Sequence, residues 1–492
     1  MNLSVFCLSI ALLYSGAGCV SAPLIFKPTP NTPSLQRLKK TIEGIVPLQK
    51  KDLQAGILAV SIETKEILYE YNPNTLLLPA SVSKLFTAYT ALHKLKPNMT
   101  FKTEVYSKGT LSSGKLVGDL FLKGGGDPSL VSERMWMLVN ELMRSGIKNI
   151  QGSLVADSSY YDEEKTPDSR PKYLKDQAYN APIGALSFNF NTTTIYVRPG
   201  ESVGAPPVVY IDPENPYIDV VNQASTSGAD GKNTINVNRT DYVKGDIGDT
   251  VLLRGSIPID HKEIRFYKNI VNPALYTAHM FKTFWERRGL TFVGTVKEGQ
   301  VPSDARRLLE FESLPLWQIV WGMNKFSNNF VADQILKKVG AEMWGPPGTR
   351  QKGLASLSEV LEDIGIPSKS YAIQDGSGLT RNTRVTAKQI VSVLMASQRD
   401  FGVGPELTTS LGIAGEDGTL KKRFPNSAAQ SVLRAKTGSL DGVNALAGFT
   451  PTADGELVAF AIILNDPHNR YGRMTTWIDP VAVALARFSR KQ

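Results

Sequence analysis

Apolar residues first fall at helical spacing at Leu35, Leu38, Ile42, Ile45 and Val46, which predicts an amphipathic helix over residues 34–49. The runs AGILAVSI (55–62) and EILYEYN (66–72) follow, joined at Thr64-Lys65. They predict two strands of a hairpin. The stretch LLLPASVSKLFTAYTAL (76–92) reads as an apolar helix entered through Pro79. Near the other end of the chain, SVLRAK, NALAGFT and ELVAFAIILND predict three more strands, and residues 480–490 a closing amphipathic helix. Two early and three late strands predict one antiparallel sheet with the terminal helices on a face. The middle of the chain is then an insertion.

That middle has a different texture. LVGDLFLKGGGDPSL is a strand running into a glycine-rich turn, RMWMLVNELMRSG is a helix closed by Gly146, and IQGSLVADSS is another strand. Short strand-like runs such as TTIYVRP and TVLLRGSIP continue to about residue 262, and from Asn272 the pattern becomes helical. The expected organisation is a leader at 1–22, a proline-rich linker at 23–33, and a catalytic domain in two parts, 34–100 and 269–492. The insertion at 101–268 holds accessory domains of mainly β character, one nested in the other.

Composition narrows the function. The chain has 492 residues, 42% hydrophobic and 21% charged, enough for a sizeable core and roughly two to four domains. Its first 26 residues carry no charged side chain, and Leu3 to Tyr14 is nearly continuous apolar sequence. That run is too short to span a bilayer and fits an export leader, so a periplasmic or cell-envelope location is expected. Two processing sites compete: cleavage after Ala22, or lipid attachment at Cys19. Cys7 and Cys19 are the only cysteines, which excludes a cysteine zinc site or redox centre in the mature chain. The four histidines (His93, His261, His279 and His468) have no metal spacing, so neither a metal nor another cofactor is expected. The net charge of +9 favours anionic polymers of the envelope or phospholipid head groups, with peripheral membrane association one consequence. No basic patch interleaved with aromatics points to nucleic acid.

The candidate chemistry begins with a lysine inside an apolar helix. Ser-x-x-Lys occurs four times, at Ser81/Lys84, Ser112/Lys115, Ser145/Lys148 and Ser169/Lys172. Only Ser81 opens a well-formed helix, where residues i and i+3 share a face. Unpaired N–H groups at a helix start favour an oxyanion, and apolar burial disfavours the ammonium. A lysine near neutrality can take a serine proton. Two further stretches offer partners. Ser327 and Asn329 in MNKFSNNFVADQIL lie two residues apart, and Lys436-Thr437-Gly438 occurs once, at the end of an expected strand. Glycine there lets a substrate backbone approach the strand edge. Taken singly, each stretch is equally well a helix cap, a loop or a strand-end turn.

The order Ser-x-x-Lys, Ser-x-Asn, Lys-Thr-Gly resembles the constellation of penicillin-binding proteins and β-lactamases. The pieces PASVSK, GDLFLKGGGDPSL, YNAPIGALSFNFN, KFSNN, DGSGLTR, GEDGTLKKRF and AKTGS resemble one branch more closely. That branch is the class C low-molecular-mass penicillin-binding proteins, the D-alanyl-D-alanine carboxypeptidase/endopeptidase family. The resemblance implies an α+β (α/β/α) transpeptidase-like fold with an antiparallel sheet, interrupted by accessory domains. It implies an enzyme that acts on peptidoglycan peptides and is blocked covalently by β-lactam antibiotics. By that likeness Ser81 is the nucleophile, Lys84 its general base, and Ser327 a relay to the leaving group. Lys436 would hold positive charge beside that relay. Asn329 would bind the substrate backbone, and Thr437 and Ser439, beside Gly438, its terminal carboxylate. The backbone N–H groups of Ser81 and Ser439 would form the oxyanion hole. Asn328 stands where Asp is common and is expected to point away. The turn Asp375-Gly376-Ser377-Gly378 is expected to border the site. A β-lactamase or esterase of the same fold, or a non-catalytic wall-binding protein, remain as other readings.

Overall fold

The computed structural model describes residues 25–168, 170, 175–240 and 248–491. The expected leader, with Cys7 and Cys19, lies outside the described residues, as do Ser169 and Lys172. Part of the expected linker is described. Lys27 pairs beside Glu66, its N–H donating to the Lys65 carbonyl at 2.9 Å, so this segment lies along the first hairpin.

A six-stranded antiparallel sheet forms the body that carries the candidate motifs. Its order is Gly412–Ile413, Arg434–Leu440, Val443–Pro451, Leu457–Asn465, Gln54–Ser61, Ile67–Tyr71. Period-two alternation sorts its side chains to two cores. Leu58, Val60, Ala445, Ala447, Ala459, Ala461 and Ile463 face one core, with the Lys84–Leu95, Asn329–Trp344 and Ala387–Arg399 helices. Ile57, Ala59, Leu446, Phe460, Ile462 and Leu464 face the other, beneath the Pro33–Ile45 and Thr475–Arg487 helices. The motif-bearing side holds four alanines on two neighbouring strands, and small side chains let its helices sit close to the sheet. The first helix ends at Ile45 rather than residue 49, because Val46 turns extended ahead of Pro47. The last begins at Thr475, so Pro480 lies inside it rather than opening it.

The inserted region has its own sheet and core. Lys102–Ser112 and Lys115–Gly124 form a long hairpin, flanked by Asn149–Gln151 and Leu154–Asp157. Three later strands complete this sheet: Thr291–Val293, Val296–Glu298 and Arg306–Glu312. Pro273–Arg287 packs Met280, Phe281 and Trp285 into the same core. Small sheets built from residues 192–269 lie within this frame. Tyr161, Ala181, Ile183 and Ala185 already pack into the motif-bearing core, and the chain returns to that body for good near Leu316, not at residue 269. The helix at 273–287 has a clear cap at Asn272 and a clear apolar stripe. Neither property says which sheet the stripe covers, and the pairing of 306–312 with 102–112 decides it.

Candidate active site

Ser81 lies in a single 3-10 turn, Ala80–Ser83, and the α-helix proper starts at Lys84. The sequence predicted one helix from Pro79. The turn is tight because Ala80 sits at φ 47° and the 377–380 segment presses on it. Gly378, at φ +73°, has no room for a side chain: a Cβ would lie 2.1 Å from the Ala80 carbonyl oxygen. Gly438 is held equally close, where a Cβ would lie 2.4 Å from the Pro79 oxygen. Two glycines thus clamp the serine turn between a loop and the Arg434–Leu440 strand.

Lys84 is fully buried. Its Nζ donates to Ser81 Oγ at 2.9 Å, Asn329 Oδ1 at 2.6 Å and the Ser377 carbonyl at 2.7 Å. Burial pushes the amine down to about 7, offset in part by the Asp333 and Asp375 carboxylates and reinforced by Arg170. Those three form an inner cluster behind the lysine. Arg170 pairs with Asp333, lies 3.5 Å from Asp375, and donates to Ser377 Oγ at 3.2 Å. Asp375 accepts from the N–H groups of Gly378 and Thr380, and Asp333 accepts from Gly376. The cluster fixes the turn whose carbonyl holds Lys84, and Thr87 Oγ1 fixes it again through Gly376.

The second motif stands at a helix junction. Ser327 ends Leu316–Phe326 in a left-handed conformation, φ 57°. Asn328 then caps Asn329–Trp344, accepting from Val331 N at 3.1 Å, so its side chain serves the helix rather than the cleft. Asn329 is engaged on both sides, accepting from Lys84 and donating through Nδ2 to the Tyr179 carbonyl at 2.9 Å. Lys436 is also fully buried and donates to Ser327 Oγ at 2.8 Å and the Thr437 carbonyl at 2.9 Å. Burial and the nearby Lys84 hold it well below the usual lysine range. Among the described residues no carboxylate pairs with it, so the charge that the family likeness implies at this position has no partner among them. Thr437 Oγ1 meets Thr419 Oγ1 at 2.9 Å, and Asn444 Nδ2 donates to Ser439 Oγ at 3.3 Å.

All eight candidate residues are brought together. Ser81, Ser327, Asn329 and Ser439 line a cleft of about 600 Å³, shared with Tyr179, Gly378, Leu379 and Arg381. Lys84 and Lys436 sit beneath it, each donating to one serine. The cleft presents two hydroxyls, each backed by a buried amine, and a strand edge beside them. That arrangement suits nucleophilic attack on a carbonyl followed by protonation of a leaving group. The turn at 375–378, expected to border the site, does so and supplies the Ser377 carbonyl and Asp375. Two contributors escaped the sequence reading, the Arg170-Asp333 pair and Thr419, the latter contained in GEDGTLKKRF only as part of a resemblance. Ser112 and Lys115 sit at an exposed hairpin tip, and Ser145 caps a helix end beside Gly146, so neither pair joins a site.

The D-Ala-D-Ala carboxypeptidase 3 (S13) family model matches residues 38–487. A D-alanyl-D-alanine carboxypeptidase of Actinomadura sp. (strain R39) is 34% identical over 93% of this chain and 86% of its own length. A D-alanyl-D-alanine carboxypeptidase of Haemophilus influenzae is 29% identical over 83% of this chain and 85% of its own. The crystal structure of penicillin-binding protein 4 from Haemophilus influenzae superposes with a TM-score of 0.76, at 26% identity, covering 91% of this chain and 97% of that one.

Proposed function

Since the chain belongs to the D-Ala-D-Ala carboxypeptidase 3 (S13) family, we propose that its cleft performs serine acyl transfer on peptidoglycan stem peptides, releasing terminal D-alanine. A structure of the Haemophilus influenzae relative was solved with a β-lactam, which supports covalent inhibition here by the same class. The observation that carries the reading is Ser81 Oγ at 2.9 Å from a fully buried lysine whose amine is pushed to about 7.

In the proposed reaction Ser81 Oγ attacks the carbonyl carbon of the penultimate D-alanine and its proton passes to Lys84 Nζ. Backbone N–H groups of Ser81 and Ser439 receive the oxyanion. Thr437 and Ser439 take the terminal carboxylate, and that carboxylate supplies the opposite charge that Lys436 lacks. The C–N bond breaks as the departing amine gains a proton through Ser327, beside Lys436. Asn329 keeps a second N–H for the substrate backbone. Water then attacks the Ser81 ester and regenerates the hydroxyl.

Mass spectrometry of penicillin-treated protein tests this. The expected result is one acyl adduct on the Ser81 peptide, held for a long time, and its loss in Ser81→Ala with D-alanine release down at least about 10⁴-fold. An unlabelled folded protein, or equal labelling of the variant, overturns it.

We further propose that the protein works in the cell envelope. The uncharged apolar leader supports this. N-terminal sequencing of protein from the envelope fraction is expected to show cleavage after Ala22 or a lipid-bearing Cys19. An intact Met1 on cytosolic protein contradicts export.

A further inference from the structure

The Leu316–Phe326 helix buries Leu316, Ile319, Val320 and Met323 in the main core. Its outer side is unusual. Trp317, Trp321 and Phe326 are 39%, 38% and 67% exposed. Trp317 and Trp321 are one turn apart, and Trp321 and Phe326 meet edge to face with ring centroids 6.0 Å apart. Lys325 Nζ lies 5.7 Å from the Trp321 ring and is tied to Asp417 at 2.5 Å. Three large exposed aromatics in ten residues form a contiguous apolar stripe of the kind that marks an interaction surface.

The stripe is continuous with one particular side of the cleft. It ends at Phe326, next to Ser327, whose Oγ accepts from Lys436. Gly418 packs against the Lys325 backbone, where a Cβ would lie 2.6 Å from the carbonyl oxygen. Thr419, the next residue, bonds Thr437. The exposed Lys421 and Lys422 follow, with no ion pair among the described residues. The stripe therefore borders the half of the cleft from which the leaving group departs, yet Trp321 and Phe326 lie outside the cleft lining. A free D-alanine ends at its carboxylate and would not reach them.

We propose that the Trp321–Phe326 face binds the departing strand of cross-linked peptidoglycan, and so sets endopeptidase action apart from removal of terminal D-alanine. This rests on the acyl-transfer reading above. In the cross-linked substrate the broken C–N bond releases the side-chain amine of a neighbouring stem peptide. That amine takes the same proton, and Ser81 forms the same ester. The departing product is then a long chain whose sugar and peptide C–H surfaces cover the aromatic rings. Its carboxylates complement Lys421 and Lys422.

The test uses the full chain, a soluble monomeric pentapeptide muropeptide and a cross-linked dimer. Phe326→Ala and the double variant W321A/F326A are expected to cut dimer cleavage by about tenfold. Monomer cleavage and penicillin labelling should stay within about twofold. The double variant W321F/F326Y should restore dimer cleavage. Equal loss on both substrates, or no loss on either, overturns the inference. A wild-type protein that cleaves the monomer but not the dimer also overturns it while leaving the carboxypeptidase reading intact. A wild-type protein that cleaves neither contradicts that reading itself.

Discussion

The two ends of the cleft use the same pair of side chains in different settings. At each end a buried lysine donates to a serine hydroxyl, Lys84 to Ser81 and Lys436 to Ser327. Behind Lys84 stand Asp333 and Asp375, which bring a desolvated amine back to about 7. Behind Lys436, among the described residues, stands a like charge, Lys84, and its amine is held well below the usual range. The difference teaches that burial beside a like charge only lowers a lysine, whereas burial with nearby carboxylates leaves one that titrates at neutral pH. Only the second kind accepts a proton in one step and returns it in the next.

Lys84→Met should have the largest effect on this contrast. Penicillin acylation is expected to fall about 10²–10⁴-fold, and the rise in rate through pH 7 should disappear. The rise exists in the wild type because Lys84 must be neutral to take the proton, so activity is lost as pH falls through about 7. Lys436→Met should cost about 10²-fold while keeping that rise, because Lys84 and its carboxylates are untouched. Stopped-flow acylation from pH 5 to 9 reads both variants. A pH limb lost with Lys436 and kept without Lys84 would reverse the assignment.

Much of this site was legible because its polar members sit in short motifs. Ser81 and Lys84 share one turn, Ser327 and Asn329 one junction, and Lys436 to Ser439 one strand. The cluster that tunes Lys84 was not legible. Arg170, Asp333 and Asp375 come from three distant segments, and nothing local distinguishes an aspartate that will face an arginine from one that will face water. The sheet of the motif-bearing body was readable from period-two apolar runs at both ends of the chain. The extent of the insertion was not. Arg306–Glu312 returns to pair with Lys102–Ser112 across about 200 residues, and a strand's pattern carries no record of its partner.

Two smaller effects sharpen the comparison. Thr419→Val removes the hydroxyl that Thr437 meets at 2.9 Å. It should raise KM for the peptide by about two- to tenfold and leave the pH limb in place. An unchanged KM would remove Thr419 from the account of carboxylate binding. Asp333→Asn removes a carboxylate that raises the Lys84 pKa, so the limb should move to lower pH. At pH 7 the rate would gain no more than about twofold, since half of the amine is already neutral there. The melting temperature should fall as well, because the buried Arg170 loses the Asp333 charge that pairs with it. A limb that moves upward would show that Asp333 does not act on Lys84 through charge.

The protonation state of Lys84 is the central claim, and NMR titration of its side chain measures it directly. Selectively labelled protein, followed through the Lys84 Cε and Nζ shifts from pH 5 to 11, is expected to show a midpoint near 7. A midpoint near the ordinary lysine value of about 10.4 would contradict the account, even with Ser81 proven as the acylated residue.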